Sequence, residues 1–116
     1  MQRSLKMWLQ DIQNACSKIH EYQKKITFKQ LTNNQMMQDA IIYNLQIIGE
    51  ACKQIPSEFR DKNTNVPWKD IARLRDIIAH AYFRIDIEII WSILQDDLPQ
   101  FSQQINNILK NFVDVD

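Results

Sequence analysis

The sequence predicts an all-α protein, an antiparallel bundle of four to five helices. The chain of 116 residues contains one glycine and three prolines, whereas the turns of a β-sheet favour both residue types. Apolar residues also recur at gaps of three and four along most of the chain, which is the period of an amphipathic helix. This length fits one domain, which we expect to span residues 1–116.

The first helix is predicted to start at a cap on Ser4 and to run to about Lys25. Its apolar stripe comprises Leu5, Trp8, Leu9, Ile12, Ala15, Cys16, Ile19 and Tyr22. The polar joint "TFKQLTNN" follows, with room for one short helical turn. A second helix is predicted from about Asn34 to Gln54, with Asn44 as the polar exception in its apolar stripe.

A single glycine, Gly49, falls in the middle of this second helix. Glycine lowers the stability of a helix interior by ~1 kcal/mol relative to alanine, so its presence here needs an explanation. Close approach of another helix is one explanation, because no side chain then separates the two backbones. A kink in the helix is the competing explanation.

The segment "IPSEFRDKNTNVP" is predicted to be the longest loop of the chain, and its "SEFR" portion could form a turn. A third helix then runs from about Trp68 to Tyr82 or Phe83. The proline that ends the loop suits the first position of that helix, because the N–H of that position has no hydrogen-bond partner within the helix.

Asp86 can cap a fourth helix, which continues through "IEIIWSILQ". Pro99 then marks a joint or the first turn of a fifth helix, whose apolar pattern continues towards the carboxyl end. The final "VDVD" is expected to be frayed.

Composition narrows the class of protein. The 14 Lys and Arg residues balance 14 Asp and Glu, so no global field attracts nucleic acid or anionic lipid, and any anion site must be local. Cys16 and Cys52 are predicted to be reduced core thiols. No metal-ligand cluster, signal peptide or membrane span of ~20 apolar residues is predicted. We therefore expect a cytoplasmic protein without a metal or cofactor.

Four chemically active side chains lie within the octet "RDIIAHAY": Arg75, Asp76, His80 and Tyr82. On an α-helix, Asp76 and His80 share a face, whereas Arg75 and His80 lie about 140° apart. On a single ideal helix, the side chains of Arg75 and His80 therefore cannot both contact the same substrate atom. The helix could be distorted, the long arginine could reach round, or two copies of the helix could line one cleft. We favour the dimer, because two-fold symmetry is the commonest in oligomers.

The residue types of this octet suit cleavage of a phosphodiester. A histidine can accept and donate protons near neutral pH. The planar guanidinium of an arginine can donate two parallel hydrogen bonds to phosphate oxygens. His80 would exchange protons with the ribose or the leaving oxygen, and Arg75 would stabilise the charge of the transition state. Asp76 could orient His80, and Tyr82 could bind substrate or accept a group from another enzyme. The alternative is an ordinary Asp–His surface pair beside solvated arginines.

The octet resembles the R-x-x-x-x-H-x-Y signature of HepT-type toxins in the HEPN superfamily. Three longer blocks also resemble the family in order and spacing: "IIGEACKQIP", "VPWKDIARLRDIIAHAYF" and "IDIEIIWSILQDDLP". An earlier helix carrying Asp11 fits loosely. The resemblance therefore extends over nearly the whole chain.

The resemblance implies a homodimeric helical bundle that cleaves RNA without a metal ion, with transfer RNA as a target of some members. It implies that Arg75 and His80 carry the cleavage in a cleft between protomers, and that Asp76 occupies a position where the family often has a polar residue. Separately, a dimer that doubles Arg73, Arg75 and Arg84 around one groove would supply local positive charge for RNA phosphates. It further implies a partner, an MntA-type nucleotidyltransferase antitoxin. This partner would silence the toxin by adenylylation of Tyr82, in a type VII-like toxin–antitoxin pair.

Two alternatives stay open at this point. Glu50 could face the cleft or pair with an arginine, although a surface or structural role is favoured because buried unpaired glutamates are rare. The chain could also be a non-catalytic, nucleotide-binding or regulatory subunit of a nucleotidyltransferase, using the same arginine and histidine to hold phosphate. An assay of RNA cleavage separates the two functions.

Overall fold

The computed structural model describes residues 3–80 and 86–112, without the side chains of Ile77, Ala79 and His80, and this part is helical throughout its regular structure. The helices are α1 (Leu5–Lys24), α2 (Phe28–Thr32), α3 (Gln35–Gln54), α4 (Ser57–Lys62), α5 (Trp68–His80), α6 (Ile87–Ser92) and α7 (Leu98–Lys110). A π-helical turn, Ile93–Asp97, joins α6 to α7. The all-α bundle predicted from the sequence is confirmed.

Side-chain caps fix the starts of three helices where the sequence predicted them. The Ser4 hydroxyl accepts a hydrogen bond from the Met7 N–H at 3.2 Å, and α1 follows. Asn34 precedes α3 and caps it in the same way, while the Asp86 carboxylate accepts from the Glu88 N–H at 2.9 Å before α6. Each cap satisfies an N–H that has no partner inside its helix.

One prediction about the later segments was wrong in detail. The predicted long loop contains α4, a six-residue helix that begins directly after Pro56. Near Pro99 the sequence left open a joint or the first turn of a further helix, and the proline lies in the first turn of α7, directly after the π-helical turn. Pro99 has no N–H for the carbonyl of Gln95, and its ring would collide with that carbonyl in a regular α-helix. A π-helical turn just before the proline is a known way to accommodate such a mismatch.

The core joins the long helices through apolar side chains. Helix α3 packs against both α1 and α5, and α1 also packs against α7. Fully buried residues come from three of these helices: Leu9, Ile12 and Ile19 in α1, Ile41, Leu45 and Ile48 in α3, and Phe101 and Ile105 in α7. This burial of the apolar stripes provides the main favourable free energy of folding.

The start of α5 is anchored at Trp68. Its ring is buried edge-on against Phe101 of α7, and its Nε1 donates to the carbonyl of Asn63 at 3.0 Å. An anchored indole with a satisfied N–H fixes the start of the helix that carries Arg75 and Asp76.

Both cysteines are free and buried, as the sequence predicted. Burial raises the pKa of the Cys16 thiol from 9.0 to about 12, and it raises the pKa of Cys52 as well. A neutral buried thiol behaves as a small apolar side chain, so these two residues serve packing.

Several sequence predictions fall outside the described residues. They concern the end of the third helix beyond His80, the frayed tail, and the positions of Tyr82 and Arg84. Among the residues that the structure describes, no helix combines the length and apolarity needed to cross a bilayer.

Candidate active site

The site is organised around Arg75 on α5 and Glu50 on α3. Arg75 Nε lies 2.8 Å from Glu50 Oε2, and the two side chains are 46% and 44% exposed. Glu50 Oε2 itself is buried and accepts no well-directed hydrogen bond within the described residues. The contact is therefore a close ion pair whose geometry lies off the Nε–H direction.

Gly49 explains why these two helices meet at this point. A Cβ atom placed on Gly49 would lie 2.9 Å from the Arg75 Cβ and 3.0 Å from the Arg75 backbone N. Such distances are shorter than side chains tolerate, so only glycine permits this approach of α3 and α5. Of the two explanations offered by the sequence, close helix approach is confirmed.

A cleft of about 740 Å³ opens beside this pair, between α1 and α3. Arg75 and Glu50 lie in its wall together with the aromatic rings of Trp8 and Tyr43. The remaining lining residues are Arg3, Asp11, Asn14, Ala15, Lys18, Asn44, Gln46, Ile47 and Ala51. The volume is within the range of sites that hold small ligands.

At its α1 wall the cleft is ordered by a second ion pair. Arg3 Nη2 lies 2.8 Å from Asp11 Oδ2, and the Arg3 guanidinium carbon lies 5.3 Å from the centre of the Trp8 ring. This cation–π contact and ion pair balance the charge of Arg3 locally. Asp11, which fitted the family pattern loosely, therefore lines the same cleft as Arg75.

Arg73 and Asp76, two other predicted site residues, are exposed on α5. Arg73 approaches Asp70 at 3.9 Å in a pair that is more than 70% exposed on both sides, so solvent screens it strongly. Asp76 forms no hydrogen bond or ion pair with the described residues. Arg73 and Asp76 do not line the cleft that contains Arg75.

The other predicted site residues cannot be placed around Arg75. His80 ends α5, but its side chain is outside the described residues, as are Tyr82 and Arg84. The roles of Arg75, His80, Asp76, Arg73, Arg84 and Tyr82 therefore stay predictions. What the structure brings together is Arg75, Glu50 and the cleft.

The described part of this arrangement can bind an anion. An arginine carries five N–H donors, and the Glu50 contact engages the Nε side of the Arg75 guanidinium. The two Nη groups are then available for a phosphate. In the described part of the chain, no three His, Cys, Asp or Glu residues form a cluster able to hold a metal ion.

For Glu50, sequence reasoning favoured a surface or structural position and kept pairing with an arginine as the alternative, and the structure shows that pair with Arg75. The useful signal was Gly49, its neighbour, because a mid-helix glycine marks the level at which another helix comes close. The residue that follows such a glycine lies at the edge of that contact, about 100° further round the helix. Which residue of α5 it would meet required the tertiary structure.

Comparison with known proteins decides the family. Residues 12–108 match the HepT-like family, described as "Ribonuclease HepT-like". The chain belongs to the ribonuclease HepT-like family. The matched region includes the octet from Arg75 to Tyr82 and the Gly49–Glu50 pair. The ribonuclease class and the family predicted from the sequence are confirmed.

Several curated relatives support this HepT-like assignment. A Thermococcus cleftensis protein named "Probable ribonuclease HepT" is 36% identical over 110 residues, which cover 95% of this chain and 100% of that protein. A Methanocaldococcus jannaschii protein named "Putative RNase" is 39% identical over 103 residues, 89% of this chain and 94% of its own length.

A longer relative shows the HepT-like region beside other sequence. It is a Methanocaldococcus jannaschii protein named "Gamma-glutamylcyclotransferase and putative RNase", 36% identical over 110 residues. The match covers 95% of this chain but spans 50% of that relative's length. No solved structure shows a significant match to the chain.

Proposed function

We propose that this HepT-like chain is a metal-independent endoribonuclease that acts as the toxin of a toxin–antitoxin pair. The carrying observation is Arg75: it lies on the wall of a 740 Å³ cleft and is paired through its Nε side with Glu50. Because it belongs to the family's matched region, the proposed substrate is RNA, with transfer RNA as one candidate.

In the proposed reaction, His80 takes the proton of a ribose 2′-hydroxyl, and the 2′-oxygen attacks the neighbouring phosphorus. The new bond joins the 2′-oxygen to phosphorus, while the bond from phosphorus to the 5′-oxygen breaks. An imidazolium donates a proton to the departing 5′-oxygen. Arg75 stabilises the extra negative charge on the phosphoryl oxygens in the transition state. The products are a 2′,3′-cyclic phosphate and a 5′-hydroxyl.

The remaining site residues take supporting roles in this proposal. Asp76, one turn before His80, orients the imidazole. Arg73 and Arg84 bind phosphates along the RNA, and two protomers meet so that both contribute arginine and histidine to one cleft. This doubling supplies local positive charge to a chain whose net charge is zero.

Control of the activity is proposed to come from an MntA-type nucleotidyltransferase antitoxin. The Tyr82 oxygen would attack the α-phosphorus of ATP, forming a bond to AMP and releasing pyrophosphate, while the phenol proton passes to solvent. The added phosphate and adenosine bring negative charge and bulk to the chain, and both oppose the binding of RNA.

The test is RNA cleavage by the purified, unmodified chain in the presence of EDTA. Wild-type protein is expected to cut, and Arg75→Ala and His80→Ala are each expected to lower the rate by at least about a hundredfold. Far-UV circular dichroism should stay unchanged, because the Arg75 side chain is almost half exposed.

Lys69→Ala is the matched control, since it removes one positive charge from an exposed position of the same helix. It is expected to cut at nearly the wild-type rate. Cleavage that persists in both Arg75→Ala and His80→Ala would contradict the mechanism. The chain would then be better explained as a non-catalytic, nucleotide-binding subunit.

A further inference from the structure

We infer that Glu50 is a positioning residue for the reaction: it holds the guanidinium of Arg75 so that both Nη groups face the scissile phosphate. The inference rests on the proposed function for its catalytic consequence. The contact itself, 2.8 Å between Glu50 Oε2 and Arg75 Nε, stands independently of that function.

The first step concerns the backbone of Arg75. Gly49 brings α3 so close to α5 that an added Cβ would lie 2.9 Å from the Arg75 Cβ and 3.0 Å from its backbone N. The base of the arginine side chain is therefore fixed against α3. Glu50, the next residue along α3, then reaches the far end of the same side chain.

The second step concerns freedom of the side chain. Arginine loses about 2 kcal/mol of rotamer entropy when it is fully ordered, so an unsupported arginine at a cleft samples several orientations. Arg75 is 46% exposed, and within the described residues Glu50 is its ion-pair partner. A carboxylate on the Nε side therefore selects the orientations in which the Nη groups point elsewhere.

The third step concerns how the carboxylate is held in turn. Gln54 Nε2 donates to Glu50 Oε1 at 3.4 Å, one turn further along α3. Glu50 Oε2 is buried and has no well-directed hydrogen bond of its own in the described part. The Glu50 Oε2 atom is thus directed at Arg75 and is withdrawn from solvent.

Glu50 is a positioning residue rather than a catalytic one. A carboxylate repels a phosphate at short range, so direct contact with the RNA would oppose binding. The orientation of Arg75 should affect the rate more than the affinity for RNA. The reason is that the contact between the guanidinium and the phosphoryl oxygens is stronger in the transition state than in the bound substrate. Loss of Glu50 should therefore change kcat more than KM.

The first experiment measures cleavage by Glu50→Gln, which keeps the shape of the side chain and removes its charge. The kcat is expected to fall about ten- to a hundredfold, with KM for RNA within about threefold of wild type. Glu58→Gln is the matched control, because Glu58 forms an exposed ion pair with Lys62 at 3.7 Å. A Glu50→Gln protein that cuts at the wild-type rate would overturn the inference and leave the proposed function standing.

Chemical rescue provides a readout that general destabilisation would not produce. Guanidinium at millimolar concentration is expected to restore part of the activity of Arg75→Ala, because Glu50 still provides its binding place. The double variant Arg75→Ala/Glu50→Gln should show no rescue. If Glu50→Gln fails to fold, the rescue of Arg75→Ala by guanidinium is the deciding measurement. An absence of rescue would contradict the inference that Glu50 holds a guanidinium group.

An NMR measurement separates this inference from the proposed function. The relaxation of the Arg75 Nε–Hε signal is expected to report a rigid side chain in wild type and a more mobile side chain in Glu50→Gln. If the wild-type chain fails to cut RNA, the proposed function falls, and this signal still decides whether Glu50 orders Arg75. An identical signal in both proteins would overturn the ordering.

Discussion

At the residue scale, neighbouring arginines of one helix have different environments. Arg75 meets Glu50 across a helix contact with both side chains about half exposed, whereas Arg73 meets Asp70 in a pair that is more than 70% exposed. Solvent weakens the second pair far more than the first. The structure therefore supports a directed role for Arg75 and leaves Arg73 as an exposed charge suited to general attraction of RNA.

Tyr82 carries the residue-scale prediction about regulation. Co-expression with an MntA-type nucleotidyltransferase is expected to add one or more adenylyl groups to the chain and to lower RNA cleavage, because the added negative charge and bulk oppose the binding of RNA. Intact mass spectrometry reads the modification. Tyr82→Phe should gain no mass, and co-expression should leave its cleavage rate unchanged. Mass gain in Tyr82→Phe would place the modification on another residue.

At the element scale, the sequence determined most of the helices because their signals are local. Ser4, Asn34 and Asp86 cap helices by bonds within three residues, and such bonds follow from sequence order alone. The π-helical turn before Pro99 was not predicted, because proline permits a break, a kink or a widened turn. Packing of α7 against α1 favours a path that continues.

Gly49→Ala tests the contact between α3 and α5. In an open helix this change would stabilise by ~1 kcal/mol. Here the added methyl group would lie 2.9 Å from the Arg75 Cβ, so we expect a loss of about 1 to 3 kcal/mol in the free energy of unfolding. Urea unfolding followed by circular dichroism measures it.

The control for this variant is Gln46→Ala, an exposed position of the same helix. Its free energy of unfolding should stay within ~0.5 kcal/mol of wild type. A Gly49→Ala protein more stable than wild type would contradict tight packing at this point.

At the scale of the whole molecule, the proposed chemistry needs two copies of the chain. On an ideal helix, Arg75 and His80 point about 140° apart, so a single protomer brings them to one phosphate only with difficulty. Two-fold pairing would place the arginine of one protomer near the histidine of the other.

Light scattering after size exclusion is expected to give about 28 kDa, twice the chain's 13.9 kDa. Co-expression of Arg75→Ala with His80→Ala should restore part of the cleavage, because the mixed dimer keeps one intact arginine and one intact histidine on different protomers. Each variant alone should stay inactive. Full cleavage by a monomer would exclude a site shared between protomers.

The sequence by itself determined the helical class, the caps at Ser4 and Asp86, the buried thiols and the family, because each depends on short-range order or on motifs read along the chain. Only the tertiary structure decided that Glu50 faces Arg75 and that a cleft opens beside them. Glu50 and Arg75 are far apart in the chain and lie on different helices. Their meeting depends on how α3 and α5 cross, and the two helices come this close because Gly49 has no side chain at the point of contact.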